Sequence, residues 1–204
     1  MDNAQLKPGY KQTDVGVIPV DWEVCKLSAI SNVKTGPFGS TLHERDYVEN
    51  GTPIITVEHL GEHGVVHSNP PMVSDFDRER LSAYSLQIDD IVFSRVGSVD
   101  RNSLIRKSED GWLFSGRLLR IRPSSKKVIS AYLSYYFHYH PTKQRIISVA
   151  VGQTMPSLNT EILNNVEVVL PPLAEQRAIA EALSDVDALI AGLERLIAKK
   201  RAIK

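Results

Sequence analysis

Residues 170–204 read LPPLAEQRAIAEALSDVDALIAGLERLIAKKRAIK, and the reading of this stretch decides the fold. Pro171 and Pro172 suit a helix entrance, where a backbone N–H has no partner to lose. Glu175 falls in the first turn, and Lys199, Lys200 and Arg201 fall near the last, so both ends complement the helix dipole. No proline interrupts the run, and Gly192 costs roughly 1 kcal/mol against alanine. Ile179, Leu183, Val186, Ile190, Leu193 and Ile197 are spaced 4, 3, 4, 3 and 4 apart. Their mean period is that of a coiled-coil seam, and Leu189, Leu196 and Ile203 widen the stripe on one flank. Arg177 to Glu181 is the one opposite-charge pair at i,i+4, in the weaker order, so the helix gains little from its polar face. The stripe needs a mate. Either the helix folds back on its own domain or it pairs with another chain.

Working outward, 204 residues with 42% hydrophobic content suffice for one packed domain, residues 1–170, with the helix of residues 171–204 as an extension. Cys25 is the single cysteine, which excludes an intrachain disulfide and fits a reducing cytoplasm. The first residues, MDNAQLKPGYKQ, lack a signal-peptide core, and no apolar run approaches the roughly 20 residues of a membrane span. The net charge of zero is unevenly spread: residues 1–90 hold 7 basic and 14 acidic side chains, while residues 91–145 hold 11 and 3. The second segment has the footprint of a polyanion binder, or of a basic face matched to the acidic half.

Residues 1–20 read as an irregular lead-in anchored by Trp22, followed by a short strand or helix to Ile30. Lys34-Thr35-Gly36-Pro37-Phe38-Gly39-Ser40-Thr41 is a glycine-punctuated loop without the order of a P-loop. Pro53 to Val57 reads as a buried strand. His59, His63 and His67 lie four apart, but Gly61 and Gly64 between them speak for a loop rather than a zinc-binding helix. Asn69-Pro70-Pro71-Met72 is similar to the NPP-aromatic loop of amino-methyltransferases, but it lacks the aromatic residue, and no glycine-rich cofactor loop accompanies it. A short helix over Asp75–Ala83 precedes strands at Ile91–Val96, Leu104–Arg106, Trp112–Phe114 and Arg117–Arg122. On the last strand, Arg120 and Arg122 share one face and Leu119 and Ile121 the other. Two helices follow, Ala131–Tyr139 and Pro141–Ala150. In the first, Tyr132, Tyr135, Tyr136 and Tyr139 form a core-facing stripe or, alternatively, a base-stacking surface. A final strand, Asn165–Leu170, leads into the long helix. The predicted class is α+β: a globular domain followed by a long C-terminal coiled-coil helix.

Three stretches together resemble the specificity (S) subunit of type I restriction–modification systems: Gly152-Gln-Thr-Met-Pro-Ser-Leu-Asn159, Val169-Leu-Pro-Pro-Leu-Ala-Glu-Gln176 and Leu196-Ile-Ala-Lys-Lys-Arg-Ala-Ile-Lys204. Tyr10 to Pro19 and Asp21-Trp22-Glu23 are similar to the start of such subunits. Asp89-Asp90-Ile91-Val92-Phe93-Ser94-Arg95-Val96-Gly97-Ser98 resembles the signature of their target recognition domains, with Asp89 in place of the usual glycine. The resemblance implies a non-catalytic, DNA-binding chain that reads one half of a bipartite site. It also implies a scaffold for methyltransferase (M) subunits, with a restriction (R) subunit in the full complex. S-adenosylmethionine, ATP and Mg belong to those partners, and the chain itself takes no cofactor or metal. Such subunits usually carry two recognition domains and two antiparallel helices. One of each here implies a half-length form, or a piece of a full one, that becomes a homodimer through the helix.

On this reading Ile179, Leu183, Val186, Ile190, Leu193, Leu196 and Ile197 form the dimer interface. Phosphate contacts would come from the basic residues of 91–122, including Arg117, Arg120 and Arg122. Lys34, Ser40, Arg95, Ser98, Arg101, Asn102 and Gln153 are the candidate loop contacts, some with forked donors suited to base edges. The rival readings are a stand-alone protein–protein interaction module, or a specificity module of a related restriction enzyme. A nuclease or methyltransferase lacks its expected motifs here.

Overall fold

The computed structural model describes residues 6–37, 41–62, 64–152 and 156–203. Its strands and helices, in chain order, are β1 (Tyr10–Thr13), β2 (Gly16–Pro19), β3 (Glu23–Lys26), β4 (Ser31–Thr35), β5 (Tyr47–Val48), β6 (Thr52–Ile55), β7 (Met72–Val73), α1 (Asp75–Arg80), β8 (Ile91–Ser94), β9 (Asn102–Leu104), β10 (Leu113–Phe114), β11 (Leu118–Pro123), α2 (Ser130–His138), α3 (His140–Val149), α4 (Thr160–Asn164), β12 (Glu167–Leu170) and α5 (Leu173–Ala202). The class is α+β, a sheet-rich domain followed by a long helix. Among the described residues no helix is long and apolar enough to cross a membrane.

The lead-in is more ordered than its sequence suggests. β1 and β2 pair as an antiparallel hairpin, with Tyr10 opposite Pro19 and Thr13 opposite Gly16. Gly16 closes the turn at φ 115°, a conformation that favours glycine, and the Thr13 hydroxyl donates to its carbonyl at 2.7 Å. Four-residue strands with both faces partly wet carry too little alternation to be recognised.

The central sheet has the order β4-β11-β8-β9. Its register sets Leu119 opposite Phe93 and Ile121 opposite Ile91. These four side chains face Tyr132, Leu133 and Phe137 of α2 in the main core, where Phe93 and Phe137 meet edge to face at 5.3 Å. Val92 and Leu118, on the opposite face, pack with Ile55 and Phe114 of the second four-stranded sheet, β10-β6-β7-β5. The central sheet is therefore covered on both sides, and all four residues of β8 are buried. That double cover decides the fate of several basic residues.

β12 pairs with β3 and delivers the chain to Pro171 and Pro172, after which α5 runs for 30 residues, about 45 Å at 1.5 Å per residue. Its first turns are fastened to the domain. Gln176 is wholly buried: its Oε1 accepts from the Ile129 N–H at 2.9 Å, and its Nε2 donates to the carbonyls of Lys127 and Pro171 at 2.9 and 2.8 Å. The Trp22 indole N–H donates to Glu175 at 3.0 Å, which gives the anchoring tryptophan a definite partner on the helix. Further along, the Tyr135 hydroxyl donates to Asp187 at 2.7 Å. Burial, and then that bond to a carboxylate, push the Tyr135 phenol up to about 12. Replacing Gln176 with Ala strands three backbone groups and is expected to cost about 2 kcal/mol, read as a lower denaturation midpoint with an unchanged m-value.

The tyrosine stripe divides rather than choosing one role. Tyr132 is buried and donates to the Val169 carbonyl at 2.8 Å, while Tyr139, at the end of α2, is exposed.

Candidate nucleic-acid interface

The end of the central sheet gathers basic side chains from three places in the sequence. The Arg95 N–H donates to the Arg117 carbonyl at 2.9 Å, continuing the β8–β11 ladder by one rung, and the Ser94 N–H donates to the Arg101 carbonyl at 2.8 Å. Arg95, Arg101 and Arg117 thus leave the same end of the sheet. Between Arg95 and Arg101 the chain turns at Gly97, whose φ of 80° again favours glycine, and this turn presents Ser98 to solvent. Arg101 and Arg117 are exposed, and Arg95 is half-buried with its guanidinium donating to the Gly116 carbonyl at 3.1 Å.

Facing this edge across a cleft of about 740 Å³ is the segment after β6, with Thr56 and Glu58, and the turn at Asn69. Glu58 is held below the usual carboxylate range first by the Thr56 hydroxyl and its own backbone N–H; burial pushes the other way, and the charges of His59 and Arg117 add smaller downward pulls. Asn69 sits at φ 46° in a bend on the cleft wall, from which Pro70 and Pro71 lead into β7. Sequence reasoning passed over Glu58, because a lone glutamate after a strand carries no motif; only the fold brings it opposite Arg117.

Four of the expected contacts have partners within the chain. Arg120 is 6% exposed and its Nη2 donates to Asn32 at 2.9 Å, because it stands on the face of β11 that the second sheet covers. Arg122 grips the buried Asp90 through two bonds, 2.7 Å from Nε and 2.6 Å from Nη2. Asn102 is fully buried and accepts from the Ser134 hydroxyl at 2.9 Å. Lys34 donates to the Ala83 carbonyl at 2.7 Å with its ammonium 4.5 Å from the centre of the Tyr84 ring. Arg120 and Asn102 are therefore buried parts of the scaffold, whereas Arg122 and Lys34 remain partly exposed. Ser40 and Gln153 lie outside the described residues.

The histidines are structural where described. His59 is buried between the Thr56 N–H and the Ser68 carbonyl, and His67 lies 2.5 Å from Glu109 and against the Trp112 ring. His63 lies outside the described residues, among which no metal-binding cluster forms.

The stripe on α5 shows a break. Ile179 is half-buried against the core of its own domain, so at least part of it faces the domain. Beyond it, Leu183, Val186, Ile190 and Ile197 are exposed, and Leu193, Leu196 and Leu189 expose 50, 58 and 63% of their surface. A run of this size and regularity on a helix leaving its domain is an uncovered seam.

Comparison with known proteins fits this architecture. Residues 19–200 match the family model described as the type I restriction modification DNA specificity domain. The chain is 32% identical over 194 residues to the specificity subunit named for the type I restriction enzyme MjaX of Methanocaldococcus jannaschii, covering 92% of this chain and 44% of that one. It is 24% identical to the MjaVIII specificity subunit of the same organism, covering 89% and 43%. Among solved structures, the S subunit from M. genitalium superposes with a TM-score of 0.64 at 16% identity, over 97% of this chain and 46% of that one. The HsdS subunit from Thermoanaerobacter tengcongensis gives 0.60 at 17% identity, over 92% and 42%. The chain spans less than half the length of these relatives. With a family model covering nearly all of it and the same fold in solved S subunits, the chain belongs to the type I restriction–modification DNA specificity family.

Proposed function

We propose that this chain is a non-catalytic DNA-sequence reader, in which residues 1–170 contact one half of a bipartite site and residues 171–204 form a spacer that pairs with a second such helix. The observation that carries the reading is the aliphatic seam from Leu183 to Ile203, left uncovered by the domain from which the helix departs. Two copies related by a two-fold axis place identical heads at the ends of a rod, and the matching target is an inverted repeat with an unread spacer. The paired helices and heads scaffold methyltransferase subunits, which bring S-adenosylmethionine. In the full complex a restriction subunit brings ATP-driven work.

Within the head, Arg95, Ser98, Arg101 and Arg117 stand together at the open edge of the central sheet. Exposed Arg101 and Arg117 suit phosphate or base contact. Titration of the purified chain with duplex DNA at two ionic strengths tests this: affinity falls steeply with salt if the edge meets phosphates, and a salt-independent or absent affinity defeats the reading. Arg101→Ala is expected to lower the salt slope by about one and to weaken binding across sequences, without a change in melting temperature.

A further inference from the structure

The cleft between the two four-stranded sheets has a charge pattern that a simple phosphate-binding surface does not need. One wall offers Arg95 and Arg117, and the other offers the carboxylates of Glu44 and Glu58. A carboxylate facing a polyanion is repelled by it, so Glu58 weakens any general attraction to DNA. The chain nevertheless holds this group ionised and oriented. The Thr56 hydroxyl and a backbone N–H donate to it, and Arg117 lies near enough for its charge to act on it. Both side chains are exposed, so neither is consumed by the core.

A carboxylate is tolerated against DNA where it accepts a base amino group, and cytosine N4 is that donor in the major groove. A guanidinium donates in a fork to guanine N7 and O6. In a G·C pair these three atoms lie side by side across the groove edge, in the order acceptor, acceptor, donor. An arginine facing an ionised glutamate across a cleft supplies donor, donor, acceptor, which is the complement. An A·T pair presents acceptor, donor, acceptor, so it sets the adenine amino group against the guanidinium and the thymine O4 acceptor against the carboxylate.

We propose that Arg117 and Glu58 together read one G·C base pair of the half-site, Arg117 on guanine and Glu58 on cytosine. The inference rests on the DNA-reading function proposed above and names the residues and the base pair that the cleft selects. Arg95, fixed by the Gly116 carbonyl beside Arg117, lines the same cleft and keeps the guanidinium wall cationic when Arg117 turns to the base.

The test is selection from a pool of random-sequence duplexes by the full chain and by its Arg117→Ala and Glu58→Ala variants, with melting temperatures as the control for folding. The wild type is expected to enrich a motif. Each variant should lose roughly tenfold or more of the discrimination at one and the same G·C position while keeping the remaining positions. Glu58→Ala should also bind unrelated duplexes at least as tightly as the wild type, because a repulsive charge has gone. Variants that keep the G·C preference, or lose preference at two unrelated positions, overturn the paired reading and leave DNA recognition standing. A wild type that enriches nothing sinks DNA recognition itself, and the pair with it.

Discussion

Ile190→Asp combined with Leu193→Asp is expected to convert the proposed helix-paired dimer into monomers. Both side chains are exposed on the isolated chain, Leu193 by 50% and Ile190 by 36%, so the substitutions remove little from the fold of one copy. In a paired helix they sit mid-seam, and a two-fold axis doubles the count to four buried carboxylates. Each unpaired buried charge costs several kcal/mol, so the dissociation constant should rise roughly a thousandfold or more. Sedimentation at micromolar concentration would then show monomers with an unchanged melting temperature. Persistent dimers would mean that another surface pairs the copies.

Arg122→Ala destabilises the domain by about 3 kcal/mol, the cost of leaving a buried acid without its partner. Asp90 is 1% exposed and takes two bonds from Arg122 as well as the Gln87 N–H at 2.8 Å. For a chain of this size that loss lowers the melting temperature by roughly 10 °C. The contrast with Arg101→Ala is the informative part. Both remove one arginine from the same basic segment, yet one should unsettle the fold and the other should act on DNA binding alone. A stable Arg122→Ala variant with a reduced salt slope would return Arg122 to the interface.

The helix was legible in the sequence because a 3.5-residue period over several turns depends on no other element. β6, β8 and β11 were legible for a similar reason, as short aliphatic runs bounded by turns. The direction in which each face of a strand points was not. Arg120 and Arg122 share a face of β11 with Leu118, and only the presence of the second sheet shows that this face is covered. Alternation gives two faces and does not say whether one or both are dry. The burial of Asn102 was illegible in the same way, since a polar side chain reads alike in sequence whether it meets solvent or a buried hydroxyl. Gln176 carried no periodic signal, yet it fixes how α5 leaves the domain through three hydrogen bonds. The candidate interface was half visible. Arg95, Ser98 and Arg101 follow from a charged turn after a strand, whereas Glu58 joins them only through tertiary folding.

Small-angle X-ray scattering from the wild-type chain tests the spacer most directly. Two heads held apart by paired helices predict the mass of a dimer and a pair-distance distribution with two maxima, one for distances within a head and one for the separation between heads. A single compact maximum at the mass of one chain would contradict it, because a helix without a mate separates nothing.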